Sequence, residues 1–239
     1  MGTGRVIADW LRDFADVIVP RTCCVCGRRL MRGEEIMCLH CLADLPRTGV
    51  HGDDADNDIA PRLASRRVVI ERVASWFYYF SRGEYSTIIT EAKYAGRPRI
   101  GREAGRMFAS EIKDSGFFDG VGLLVPVPIH PLKKIVRGYN QSQAIAEGVS
   151  AVTGIPVAGK CLAARRHGSQ TSRGAYQRWL NSRDVYRVSD VSPLRDKHVV
   201  IVDDVLTTGS TLLACAEAIH EASPTTVISV MTLAATHKR

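Results

Sequence analysis

The sequence predicts an α/β protein in which helices flank a parallel sheet and a small cysteine-rich module precedes it. Apolar runs with strand character alternate with helical segments along most of the chain. This alternation is typical of parallel strands joined by right-handed crossovers. Five of the seven cysteines fall within nineteen residues near the N-terminus, which indicates a separate module that binds a metal or is cross-linked.

Length and composition fit one globular α/β domain with a small addition. The chain has 239 residues, of which 45% are hydrophobic and 24% are charged, and these are ordinary values for such a protein. No apolar stretch approaches the roughly 20 residues that span a bilayer. Asp9, Asp13 and Asp16 interrupt the first apolar positions, unlike a secretory signal. We therefore expect a cytoplasmic protein without membrane insertion.

Two cysteine pairs carry the spacing of metal-binding knuckles. Each pair has two intervening residues, and eleven residues separate the pairs, whose members are Cys23, Cys26, Cys38 and Cys41. Four thiolates complete a closed tetrahedral site, which predicts structural Zn²⁺ and no catalysis by this metal. A disulfide pair, disfavoured in a reducing cytoplasm, and an iron–sulfur cluster are the alternatives. Cys24 is out of register with the knuckles, and His40 is a weaker candidate ligand.

The segments around the knuckles set the expected domain boundaries. Residues 7–18 show apolar side chains at helical spacing and predict an amphipathic helix that ends before Pro20. This helix suits packing on the module or on the main domain better than a membrane surface, which favours more basic residues. Residues 47–67 are polar and rich in Asp, which predicts a linker. We thus expect a zinc module over 1–46 and a main domain over 68–239.

The main domain is predicted to alternate strands and helices. The expected strands cover residues 68–80, 121–127, 155–157, 199–202 and 227–233. The expected helices end near Tyr94, run over 100–113 and 141–153, and follow Gly209. The aromatic end of the first strand, residues 76–80, either covers the core as an edge strand or stacks on nucleobases.

The most informative segment is the strand Val199–Val202 with the residues that follow it. Its four β-branched residues predict a strand buried on both faces, and Asp203 and Asp204 stand at its carboxyl end. The next turn offers backbone N–H groups and hydroxyls to a phosphate at a helix N-terminus. Its residues are Thr207, Thr208, Gly209, Ser210 and Thr211.

The two acids repel a phosphate, so they suit sugar hydroxyls or a hydrated Mg²⁺ ion. A ribose 5-phosphate is therefore the indicated ligand. The alternative is that a hydrophobic strand followed by Asp and Gly is common at the switch point of any open α/β sheet. The segment resembles the phosphoribosyl-pyrophosphate (PRPP) motif of type I phosphoribosyltransferases. That resemblance implies that Asp203 and Asp204 hold the 2- and 3-hydroxyls and that Thr207–Thr211 surround the 5-phosphate.

A basic stretch supplies the second half of the expected site. Residues 133–187 contain ten Lys or Arg against two acids, within a chain of net charge +7. Such a stretch fits a polyphosphate, a nucleic acid or a solvated basic face. Lys133 and Arg137 are expected to neutralise pyrophosphate. A polar flap is expected to close with Arg166, Gln170 and Arg178.

The order of the motifs resembles one family, the ComF/GntX family of phosphoribosyltransferase-like proteins. The motifs are the knuckle pair, Lys93-Tyr94, Pro126-Val127-Pro128, the run from Arg137 to Ser142, the spacing of Arg166, Gln170, Arg178 and Asn181, and the Asp203–Thr211 block. The resemblance covers nearly the whole chain. The residues after Asn181, Ser-Arg-Asp-Val-Tyr, depart from the family pattern.

This resemblance implies a type I phosphoribosyltransferase-like sheet with an N-terminal zinc ribbon. It also implies PRPP binding with Mg²⁺ and a role in DNA uptake during natural transformation (competence). The acceptor of any transfer reaction stays open. The alternative is a non-catalytic adaptor that binds a nucleotide or single-stranded DNA through the same site and the basic surface. The implied protein partners are competence helicases and recombination mediators.

Overall fold

The chain forms two compact units, residues 1–45 and 46–239. The computed structural model describes residues 20–52, 57–94, 97–129, 131–164 and 185–237. The predicted N-terminal helix and the segment 165–184 lie outside this part of the chain. Among the described helices, none has the length and apolar character needed to cross a membrane.

Helices and strands alternate through the larger unit. The described helices are α1 (Leu39–Ala43), α2 (Ser86–Tyr94), α3 (Pro98–Ile112), α4 (Pro131–Arg137), α5 (Gln141–Thr153) and α6 (Ser210–Ala222). The described strands are β1 (His51–Gly52), β2 (Val73–Tyr79), β3 (Val121–Pro126), β4 (Leu162–Ala164), β5 (Tyr186–Val188), β6 (His198–Leu206) and β7 (Val227–Thr236).

The main sheet has the strand order β1-β2-β7-β6-β3. β2, β7, β6 and β3 are mutually parallel, and β1 joins the edge antiparallel to β2. The predicted parallel sheet flanked by helices is thus confirmed. The register pairs Pro126 of β3 with Val202 of β6, and Asp203 of β6 with Thr232 of β7. The carboxyl ends of these three strands therefore meet at one edge, where α/β proteins place their ligands.

β6 lies between β7 and β3, and both of its faces are apolar. Val199, Val200, Ile201 and Val202 are fully buried, as expected for a strand covered by helices on both sides. The strand leads directly into the acids and the glycine-containing turn. Burial of the strand therefore fixes where those polar groups emerge.

Helices α3 and α5 pack against each other at unusually close range. A Cβ added to Gly148 of α5 would lie 1.9 Å from the carbonyl oxygen of Arg102 in α3. A Cβ added to Gly105 of α3 would lie 2.3 Å from the carbonyl oxygen of Ile145. Since real Cβ atoms do not approach backbone so closely, both positions require glycine. This contact places the N-terminus of α5 beside the carboxyl end of β6.

The segment that the sequence suggests as a linker, residues 47–67, contributes to the core. It holds β1 and a 3₁₀ turn, Ala60–Leu63. Ile59 is fully buried and Leu63 is 2% exposed, both in the cluster that also contains Leu212 of α6. These isolated apolar residues stand among acids, so neither helical nor strand periodicity reveals them.

Four further parts of the fold differ from the sequence-based expectations. The first long strand begins at Val73 and not at Val68. Residues 155–157 make a single parallel bridge to β3, between Val157 and Leu124. Helix α4 and the antiparallel pair β4–β5 were not expected. The apolar residues Ile135 and Val136 of α4 are about 80% exposed. They are adjacent in the sequence and do not form the apolar stripe that predicts a helix.

Candidate functional site

Asp203 and Asp204 lie at the carboxyl end of β6 and are 8% and 6% exposed. Asp203 Oδ1 accepts hydrogen bonds from Ser142 Oγ and from the backbone N–H of Asp204, each at 2.9 Å. Asp204 Oδ1 accepts one from the backbone N–H of Val205 at 2.8 Å. Burial, and next the nearby Asp204 charge, raise the pKa of Asp203 to about 7. The pair is therefore held in place before any ligand arrives.

Lys93 contacts the acid pair from the C-terminal turn of α2. Its Nζ lies 2.8 Å from Asp204 Oδ2. That oxygen is buried, yet within the described part of the chain it accepts no hydrogen bond of normal geometry. The contact is thus an ion pair that leaves the oxygen able to accept. In the sequence Lys93 stands out only through the family motif, because one lysine at a helix end is otherwise ordinary.

The run Arg137–Ser142 connects three parts of the site. The Tyr139 hydroxyl donates to the carbonyl oxygen of Ala92, the residue before Lys93. Asn140 Nδ2 donates to the carbonyl oxygen of Val127 at 2.9 Å, and its Oδ1 accepts from the N–H of Ser142 at the start of α5. With Ser142 on Asp203, this run ties the end of α2, the loop after β3 and the acid pair together.

The expected phosphate loop lies between β6 and α6. Gly209 has a φ of +83° and precedes the first residue of α6, a conformation that side chains rarely adopt. Thr207, Thr208 and Ser210 are exposed, and the Thr208 and Ser210 hydroxyls lie 2.9 Å apart. Gly209 at the N-cap position makes no side-chain cap hydrogen bond, and the N–H of Ser210 donates only a long 3.5 Å bond to Thr208 Oγ1. Three exposed hydroxyl-bearing residues thus lie beside a helix N-terminus, an arrangement that suits an anion.

A buried arginine, Arg62, bonds to the backbone of the loop between β6 and α6. The Arg62 side chain is 1% exposed and pairs with Asp58. Its Nη1 donates to the carbonyl oxygen of Thr207 at 3.4 Å and also to that of Thr236. The backbone is close as well, since a Cβ on Gly209 would lie 2.5 Å from the carbonyl oxygen of Arg62. The loop therefore requires glycine at 209 for two independent reasons.

A cavity of about 1030 Å³ lies beside the run that carries Tyr139 and Asn140. Its polar lining includes Lys134, Lys160 and Asp190, and its apolar lining comes from the loop after β3 and from β4. The sequence indicated no acceptor pocket, because these residues come from four separate segments. The cavity is larger than one nucleobase requires.

The other expected site residues are only partly described. Arg137 ends α4, and its Nη1 donates to Gln141 Oε1 at 3.0 Å. Lys133 lies in α4, but its side chain falls outside the described part. Arg166, Gln170 and Arg178 lie in the segment 165–184, also outside it. Their proposed pyrophosphate and flap roles remain predictions.

The small unit brings the four predicted cysteines together. Their Sγ atoms all lie within 4.8 Å of one another, and Cys26 Sγ lies 3.8 Å from Cys38 Sγ. Four sulfurs around one metal ion at about 2.3 Å are separated by about 3.8 Å, so these thiols can hold one ion. Cys24 is not part of the cluster. His40 Nε2 lies 3.4 Å from Asp44 on the exposed side of α1, so it is not a ligand.

Glu34 holds the two knuckles of this unit in register. Its carboxylate, 5% exposed, accepts the N–H groups of Met31 at 2.6 Å and Leu39 at 2.8 Å. These bonds, with the Arg28 charge, lower the pKa of Glu34. The turn after the first knuckle is thereby joined to the start of α1.

The sheet and its switch-point acids define a phosphoribosyltransferase-type domain. The phosphoribosyl transferase domain family matches residues 137–239, the part that contains the acids and the loop. DNA utilization protein YhgH of Escherichia coli (strain K12) is 26% identical over 203 residues, covering 82% of each chain.

Competence protein F of Haemophilus influenzae is 27% identical over 153 residues, which cover 60% of this chain and 66% of that protein. These relatives and the matching domain support an assignment to the ComF/GntX family. Among solved structures, glutamine PRPP amidotransferase from B. subtilis, complexed with ADP and GMP, matches at a TM-score of 0.41 and 22% identity. That match covers 60% of this chain and 30% of the other.

Proposed function

We propose that this protein binds PRPP or a related ribose 5-phosphate ligand at the carboxyl end of β6. Asp203 and Asp204 accept the ribose hydroxyls, and the loop Thr207–Thr211 with the N-terminus of α6 binds the 5-phosphate. The observation that carries this proposal is that two buried carboxylates near the end of β6 are followed by a turn with exposed hydroxyl residues at the N-terminus of α6. Acids suit the hydroxyls and amides suit the phosphate.

Mg²⁺ accompanies PRPP in this proposal, bound by the diphosphate and water. Asp204 Oδ2 is unsuited to hold Mg²⁺ by itself, because it faces the Lys93 ammonium at 2.8 Å. Lys133 and Arg137 bind the pyrophosphate group, and Arg166, Gln170 and Arg178 complete its enclosure. In the small unit the four cysteines hold Zn²⁺, which is the usual metal of a closed four-thiolate site.

The physiological setting we propose is the handling of DNA taken up in natural transformation, in the cytoplasm. It rests on relatives that are named for DNA utilization and for competence. Two biochemical roles fit this setting. One is a phosphoribosyltransferase that transfers the 5-phosphoribosyl group of PRPP to an acceptor in the cavity and releases pyrophosphate. The other is an adaptor that uses the site for a nucleotide or a 5-phosphorylated strand end, alongside competence helicases and recombination mediators.

Calorimetry with PRPP and Mg²⁺ tests the ligand. The intact protein should bind, and Asp204→Asn should weaken the affinity about tenfold with the fold retained, because a charged acceptor becomes a neutral one. Asp114→Asn, which removes an exposed acid after α3, is the control and should change nothing. Equal affinity of the Asp204→Asn variant would remove the ribose assignment.

Two assays separate the roles. Steady pyrophosphate release from PRPP with a nucleobase supports the enzyme. Absence of turnover with every base, together with single-strand DNA binding that weakens steeply with salt, supports the adaptor.

A further inference from the structure

The contact between Lys93 and Asp204 is shielded and specific. The two side chains are 24% and 8% exposed, and Nζ lies 2.8 Å from Oδ2. The backbone next to Lys93 is fixed, because the Tyr139 hydroxyl donates a hydrogen bond to the carbonyl oxygen of Ala92. The run Arg137–Ser142 thus positions both the Lys93 ammonium beside Asp204 and the Ser142 hydroxyl beside Asp203.

The hydrogen bonds of the acid pair leave Asp204 Oδ2 available to a ligand. Asp203 Oδ1 already accepts two hydrogen bonds, and Asp204 Oδ1 accepts one from the backbone. Asp204 Oδ2 is buried, and the described residues give it no hydrogen-bond donor of normal geometry. A ligand hydroxyl can therefore bond there, and so can a cation.

A divalent cation at this oxygen is disfavoured by the ammonium beside it. Two positive groups at contact distance repel strongly in a buried site. An ammonium has three donors, so Lys93 can bond to Asp204 and to a ligand oxygen together.

We propose that Lys93 takes the place of a divalent cation at Asp204 and contacts the bound phosphorylated ribose directly. This inference rests on the proposed function and adds a ligand-binding residue and a metal requirement to it. Ribose 5-phosphate, which has no diphosphate to carry Mg²⁺, binds without the metal. Removing the ammonium leaves an uncompensated buried carboxylate that repels the anionic ligand, and a divalent cation can then enter.

The test is calorimetry with ribose 5-phosphate in EDTA and in excess Mg²⁺. Three variants of the full chain are compared with the unchanged protein: Lys93→Met, Lys93→Arg and, as control, Lys113→Met at an exposed ion pair after α3. The unchanged protein and the control should differ by less than about threefold between the two conditions. Lys93→Met should bind about tenfold more weakly in EDTA and recover with Mg²⁺. Lys93→Arg should retain metal-free binding.

Each contrary result has a distinct meaning. Lys93→Met binding as tightly as the unchanged protein in EDTA would overturn the inference and leave the proposed function standing. A strict Mg²⁺ requirement in the unchanged protein would do the same. If the unchanged protein binds neither ribose 5-phosphate nor PRPP under any condition, the proposed function fails and the role of Lys93 fails with it. Circular dichroism confirms that each variant is folded.

Discussion

The Ser142 hydroxyl donates a 2.9 Å hydrogen bond to Asp203 Oδ1, across 61 residues of sequence. Ser142 is 1% exposed and lies in the first turn of α5. The bond fixes the buried carboxyl group and opposes the rise of its pKa that burial causes. The position of α5 therefore controls both the geometry and the protonation of the acid pair.

Ser142→Ala should weaken ligand binding and destabilise the free protein. It leaves a buried carboxyl oxygen without one of its donors, a change that costs about 1–3 kcal/mol. Urea unfolding and PRPP calorimetry measure the two effects. Ser150→Ala, on the same helix, is the matched control and should be close to neutral. A Ser142→Ala variant with unchanged affinity and stability would show that the hydroxyl does not hold Asp203.

Asp203 should make stability depend on pH in a defined direction. Its pKa is about 7 in the folded protein against 3.8 ordinarily, so folding favours the protonated form. That stabilisation is complete below the ordinary value and is lost as pH rises through about 7.

Relative to Asp203→Asn, the unchanged protein should therefore lose stability between pH 4 and pH 8, by about 4 kcal/mol at most. Urea unfolding at these two pH values measures the difference. A constant difference between the two proteins would mean that Asp203 titrates normally. Asp114→Asn serves as an exposed control.

Gly148→Ala should be severely destabilising, because the new Cβ would lie 1.9 Å from the carbonyl oxygen of Arg102. Forcing α3 and α5 apart costs about 1–3 kcal/mol or more. Gly101→Ala, in α3, is the control variant, since its new Cβ would lie no closer than 3.5 Å to any neighbouring atom.

A helical glycine replaced by alanine without a clash gains up to about 1 kcal/mol. Thermal unfolding should therefore move the two variants in opposite directions. A similar loss in both would contradict the close packing at Gly148.

The purified protein should contain about one Zn²⁺ per chain, measured by elemental analysis. Cys38→Ser should lose the metal, because Cys38 is fully buried within the cluster. Cys24→Ser should keep it, since Cys24 lies outside the cluster. Iron in place of zinc, or a metal-free folded protein, would contradict the zinc assignment.

Local sequence predicted the strand and loop of the site, whereas the supporting contacts came from distant residues. Val199–Val202, the acids and the turn are contiguous, so their burial pattern and chemistry are readable in one window. Ser142 reaches Asp203 across 61 residues, and Arg62 reaches Thr207 across 145. No local pattern encodes such pairings.

The cysteine pairs were predictable for the same reason as the loop. A metal site made of two short repeats shows its ligands by spacing alone. The cavity, in contrast, is assembled from four segments, and its lining residues carry no shared motif. The flap residues Arg166, Gln170 and Arg178 were expected from the polar, basic run that contains them and from family spacing, and their roles remain predictions.

Arg62 has a consequence for how the protein can be divided. Arg62 bonds to the carbonyl oxygens of Thr207, in the turn before α6, and of Thr236, in the last strand. A fragment starting at residue 68 would therefore lack the side chain that connects this turn to that strand. It would also expose the apolar surface that Ile59 and Leu63 cover. A cut made before residue 46 preserves both. A fragment that keeps the core of the larger unit intact therefore begins upstream of the acidic stretch that looks dispensable in the sequence.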